Sequence, residues 1–192
     1  MKYLSIILLV TLGCTATAQQ WSGALSLGYS NADITVAPIS SFVPNFEHGV
    51  AARAEALYHF PSTDARLGLG ILAAANLQPT DQIGDVTTAL SQSFYGGKVL
   101  YHFSRGKFSP FVSLAAGVGT TRIERFDESV NERTSSDAHL QFSVIPQVGI
   151  SIGRVELAVD YIPKVSSEAF TGFQPLFETS FLTFSVGYRI RE

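Results

Sequence analysis

Residues 48–60 read HGVAARAEALYHF. Val50, Ala52, Ala54, Ala56, Tyr58 and Phe60 fall at every second position, with Arg53, Glu55 and His59 between them. A period of two places successive side chains on opposite faces, so this is a strand with one apolar face and one face that holds charge. Similar segments recur along the chain, and their charged parity is otherwise built from Gly, Ser and Ala. A small, polar face opposite a greasy one is the pattern of a narrow β-barrel whose outside meets lipid.

The bulk composition agrees. Of 192 residues, 46% are hydrophobic and only 15% charged, against roughly 25% charged in soluble domains. Beyond the N-terminus no stretch reaches the roughly 20 apolar residues that a membrane helix needs. Lys2, the apolar run Tyr3–Leu12 and Ala16-Thr17-Ala18 read as a signal peptide over residues 1–18, leaving 19–192 as one barrel domain. Cys14 is the only cysteine, so the chain has no internal disulfide framework. It sits in a loose lipobox that lacks the usual leucine three positions earlier; cleavage after Ala18 removes it. The mature charge of −4, evenly spread, argues against a nucleic-acid partner.

Period-two runs between turn signals predict eight strands: Trp21–Ser30, His48–Phe60, Arg66–Asn76, Gln92–Phe103, Phe108–Arg122, Ala138–Ser151, Arg154–Lys164 and Thr179–Arg191. A tilted membrane strand needs about 9 to 11 residues. Short connections (Pro61–Asp64, Ser104–Lys107, Ile152-Gly153) alternate with long ones (Asn31–Glu47, Leu77–Ser91, Ile123–Asp137, Val165–Glu178). Short periplasmic turns and long outer loops follow that rhythm, and an even strand count puts both termini in the periplasm. On the apolar parity, Trp21, Tyr58, Phe60, Tyr101, Phe103, Phe108 and Tyr188 cluster at predicted periplasmic strand ends, and Tyr29, Tyr95 and Tyr161 at outer ends. Rings with an apolar body and a polar tip collect at both membrane interfaces, so these read as paired girdles.

The opposite parity then lines the interior. It carries Arg53, Glu55, Arg66, Lys98, Glu156, Asp160 and Arg189, spaced by Gly68, Gly70, Gly96, Gly117, Gly119, Gly149, Gly187 and several serines. Eight strands enclose a space that side chains fill. Buried charges there must pair, so these residues are expected to form a salt-bridged plug.

With these features in hand, the chain resembles the small eight-stranded outer-membrane barrels of the OmpA-transmembrane-domain and OmpX type. The resemblance rests on the leader, the eight alternating strands, the loop rhythm and the final strand LTFSVGYRIRE, residues 182–192. It implies an all-β, antiparallel up-and-down barrel in the outer membrane of a Gram-negative bacterium. Implied partners are membrane lipid and lipopolysaccharide, the barrel-assembly machinery, and an extracellular ligand at the outer loops. The family usually ends on an aromatic residue, whereas this chain runs through Ile190 and Arg191 to Glu192.

Function is the less determined part. A deacylase needs a serine with an adjacent base; His139 with Ser30 or Ser143 is the nearest set, but His139-Leu140-Gln141-Phe142 lacks the His-x-Ser-Asn element of lipid A deacylase barrels. No metal-ligand spacing or phosphate loop appears, so neither a catalytic site nor a cofactor is expected. The favoured reading is a structural or surface-interaction protein. Its rivals are a narrow pore, a lipid A-modifying enzyme and a soluble lipocalin-like carrier, which would reverse the two faces.

Overall fold

The structure, a computed structural model, describes residues 21–36, 48–79, 86–127, 129–130, 132–135, 139–168 and 176–191. The predicted signal peptide lies outside the described residues. Nine strands follow one another: β1 (Trp21–Val36), β2 (His48–His59), β3 (Leu67–Pro79), β4 (Val86–His102), β5 (Phe108–Asp127), β6 (Glu132–Ser135), β7 (His139–Ile152), β8 (Val155–Glu168) and β9 (Leu176–Arg191). β1 to β5 pair antiparallel in succession, β5 pairs with both β6 and β7, β7 with β8 and β8 with β9, and β1 also pairs with β9, closing the sheet on itself. The closed wall has eight staves. β7 borders β5 up to the Thr121–His139 pair, and the short β6 takes over the same edge from Glu124 to Asp127.

Side chains alternate across this wall as the period predicts. Leu25, Leu27, Val50, Ile71, Leu140 and Phe142 point outward and are 62–74% exposed. So large a continuous apolar surface is tolerated only in contact with lipid. This polarity excludes the carrier-like arrangement, in which the apolar face would turn inward.

Two features differ from the sequence expectation. The strands run further at their outer ends: β1 continues to Val36, β4 begins at Val86, β5 reaches Asp127, β8 reaches Glu168 and β9 begins at Leu176. Above the membrane both faces of a strand are wet, so the hydrogen-bond ladder continues while the apolar alternation that reveals it fades. Likewise β8 passes Pro163 by means of an irregularity between Ile162 and Val165, where the sequence pattern had suggested an end.

The interior is also less uniformly small and polar than expected. Leu57, Leu72, Phe94, Leu100, Phe111 and Ile145 all point inward and are at most 6% exposed. They belong to two apolar clusters. Leu57, Leu100, Phe111 and Ala158 form the one nearer the short turns; Leu72, Leu90, Phe94, Ile145, Ile162 and Phe181 are in the other. Two of the inward glycines make room for these rings. A Cβ on Gly149 would lie 2.5 Å from Phe111 Cζ, and one on Gly96 would lie 2.7 Å from Phe94 Cζ.

Candidate functional site: a buried charge network

Along β4 the inward positions run Leu100, Lys98, Gly96, Phe94, and along β8 they run Ala158, Asp160, Ile162. Charge therefore sits between the two apolar clusters, on side chains brought together from β2, β4, β8 and β9. Arg53 meets Asp160 through two parallel contacts, Nη1 to Oδ1 and Nη2 to Oδ2. This is the bidentate geometry that suits guanidinium and carboxylate best. Glu55 accepts from both Lys98 Nζ and Arg189 Nη2. Arg189 also donates to Glu156, with Nε–Oε1 at 2.5 Å and Nη2–Oε2 at 2.9 Å.

The side chains in these ion pairs are at most 10% exposed. Three cations face three carboxylates, so the cluster is electrically closed. Neutral groups on the same inward face complete its hydrogen bonding. Gln147 Oε1 accepts from Lys98 Nζ and from Ser113 Oγ, both at 2.8 Å. Ser151 Oγ donates to Glu156 at 3.0 Å, and Arg189 Nη1 donates to Ser22 Oγ at 2.8 Å. Ser22 in turn meets His59 Nε2 at 2.8 Å. Their one sequence signature is inward parity, which many other serines share.

Arg66 departs from the expected network. It belongs to the turn before β3 rather than to the strand, and its Nε has no hydrogen-bond partner among the described residues. The turn is tight: a 3-10 segment, Pro61–Thr63, is followed by left-handed Asp64 and Ala65, so Arg66 precedes the strand that was expected to carry it.

The two serines weighed as nucleophiles with His139 are both buried. Ser30 is fully buried and bonded to Gln78 Nε2 and Thr183 Oγ1, at 3.3 and 3.4 Å. Ser143 is 7% exposed and lies on a different strand. The side chain of His139 lies outside the described residues.

All ten predicted girdle residues lie on the outward parity. Trp21 packs edge-on against Tyr58, and Tyr58 against Phe60, with ring centroids 5.4 and 5.3 Å apart; Tyr101 and Phe103 do the same at 5.4 Å. Tyr29, Tyr95 and Tyr161 are 43–62% exposed. The structure adds Phe126, Phe142 and Phe184 to the exposed outward aromatics.

Contrary to the even spread expected from the sequence, the remaining charge is segregated by end. The segments predicted as outer loops, 31–47, 77–91, 123–137 and 165–178, contain eleven Asp and Glu but only two Arg. The short turns, predicted as periplasmic, carry Arg66, Arg105, Lys107 and Arg154 against Asp64 alone.

No family model and no curated protein matches this chain. Solved structures do. The attachment invasion locus protein Ail of Yersinia pestis, in complex with the heparin analogue sucrose octasulfate, is similar at 11% identity and a TM-score of 0.52, over 89% of this chain and 99% of that one. Neisserial surface protein A is similar at 12% identity and a TM-score of 0.52, over 90% and 97%. At such identities the likeness is one of fold. The fold is that of the small eight-stranded outer-membrane β-barrels.

Proposed function

We propose that this barrel acts through its outer surface, as an envelope anchor that presents an acidic contact surface to a partner of complementary positive charge. The observation that carries the reading is the filled lumen. Among the described residues a closed salt-bridge cluster flanked by two apolar clusters occupies the lumen, which points recognition to the part that projects beyond the outer girdle. There β5 extends to Asp127 and is widened by β6, and the surrounding segments carry a net charge of −9. A field of one sign steers oppositely charged partners and repels like-charged ones. This surface therefore suits a cationic protein or peptide, and disfavours a polyanion such as the heparin analogue bound to Ail.

The test compares cells that express the full chain with cells whose residues 123–137 are replaced by a short Gly-Ser turn. Binding of fluorescent polylysine should fall in the variant while the heat-shifted gel band of the folded barrel persists. Equal binding by the two strains, or preferential binding of a sulfated polyanion, refutes the reading.

A further inference from the structure

Arg66, the predicted lumen charge that the buried network leaves out, lines a cavity of about 250 Å³ at the short-turn end of the barrel. It shares that lining with Asp64, His102, Arg105, Ser109 and Ser151. Three turns meet there and are stitched together through their backbones. His102 N–H donates to Arg66 C=O at 2.8 Å, Gly153 N–H donates to Lys107 C=O at 2.9 Å, and Arg105 Nε donates to the Asp64 carbonyl oxygen. The segment before β3, the β4–β5 turn and the β7–β8 turn therefore hold one another, and the cavity is formed by the fold itself.

The hydroxyl protons of the lining are already committed. Ser109 Oγ donates to Ser104 C=O at 2.5 Å, so it accepts from His102 Nδ1, 3.0 Å away. Ser151 Oγ donates to Glu156 at 3.0 Å. Guanidinium is what the lining still offers. Arg66 is partly buried, and its Nε–H is shielded from solvent with no hydrogen-bond partner among the described residues. A buried donor without an acceptor is costly, the more so on a charged group. An anion in the cavity supplies the missing acceptor.

The surrounding charge favours the same occupant. Arg105 brings a second cation to the lining, and its Nη2 lies 3.4 Å from Asp64 Oδ1. Those two side chains are 55% and 69% exposed, so their pairing is weak and screened by solvent. Arg66, Arg105, Lys107 and Arg154 against Asp64 give this end a net charge of +3, a field that draws anions in. The Tyr58–Phe60 and Tyr101–Phe103 ring pairs lie on the outside of the strands that enter these turns. Such rings settle at the membrane interface, which sets the cavity at headgroup depth, where phosphate is the anion that a membrane presents.

We propose that this cavity binds a phosphate group, with Arg66 as its principal donor and Arg105 as the second cation. The group comes from free phosphate or from a phospholipid headgroup that reaches over the rim; the recognised chemistry is the same. Guanidinium suits it, because its planar fork can give a phosphate two parallel hydrogen bonds.

The test uses the full mature chain folded in maltoside micelles, which contain no phosphate. Inorganic phosphate and a short-chain phosphatidylglycerol are titrated in turn while the arginine Nε–H signals are followed by NMR. The Arg66 signal should shift and saturate with at least one probe, and the signals of Arg53 and Arg189, held in the buried network, should stay in place. The probe that saturates at the lower concentration identifies the source. By calorimetry, Arg66→Gln should weaken binding at least about tenfold through the loss of a charge-assisted hydrogen bond. Arg154 lies at the same end but donates to Tyr188 Oη, outside the cavity. Arg154→Gln should bind within about twofold of wild type, since exposed charges are screened at physiological salt. The wild-type titration decides the matter even where Arg66→Gln does not fold. Absence of a saturable Arg66 shift with both probes overturns the proposal. So do equal losses in the two variants, which would assign binding to the general positive charge of this end.

Discussion

Removing the carboxylate of Asp160 is the sharpest probe of how this lumen is closed. The Arg53 and Asp160 side chains are 7% and 1% exposed, and each satisfies the other through two contacts. Asp160→Ala leaves the guanidinium desolvated and facing nothing of opposite charge. Breaking a buried pair in this way costs about 3–5 kcal/mol. With a urea dependence of about 2 kcal/mol per molar, a loss of about 4 kcal/mol lowers the unfolding midpoint by about 2 M. The assay is urea unfolding of the barrel folded into liposomes, followed by the gel shift between folded and unfolded forms. Removing both charges is a different perturbation. In Arg53→Met with Asp160→Leu no charge is stranded, and buried pairs replaced by apolar residues of similar volume are typically neutral to stabilising. The double variant should therefore unfold at or above the wild-type midpoint. The reasoning fails if Asp160→Ala unfolds within about 1 kcal/mol of wild type. That result would mean Arg53 is hydrated from an open lumen, and the plug would have to be given up for a water-filled pore.

Other perturbations separate the parts of the structure. Glu55→Gln should cost about 1–2 kcal/mol more than Glu156→Gln in the same assay, because Glu55 neutralises both Lys98 and Arg189 while Glu156 shares Arg189 with it. Gly149→Val should reduce stability by about 3 kcal/mol or more and deplete the heat-shifted band, since its Cβ would fall 2.5 Å from the Leu157 carbonyl oxygen. Trp21 is the only tryptophan, so quenching by lipids brominated at different depths should be greatest near the headgroups; maximal quenching from the bilayer centre would contradict the girdle. In planar bilayers the wild-type barrel should give no stepwise conductance, and discrete openings at low voltage would favour the pore.

Much of this was legible before any coordinates. The segment 48–60 alone distinguishes an apolar face from a charged one, because side chains of a strand alternate whatever its neighbours are. Repeated at intervals set by turns, that alternation implies a closed wall with lipid outside, and it places Arg53, Glu55, Lys98, Glu156, Asp160 and Arg189 on the inner parity. The same logic explains its errors. Strand ends above the membrane lose the signal because both faces are solvated. Leu57 and Phe94 carry no core signal on a small, polar parity; the glycines paired with them, Gly70 and Gly119, make room for large side chains only once the register is set.

What parity cannot give is partnership across the lumen. Arg53 and Asp160 are 107 residues apart in sequence, and any inward cation could in principle have met any inward carboxylate. Closure of eight strands and the register of each pair decide which ones meet, because those quantities set the height and angle at which each side chain enters.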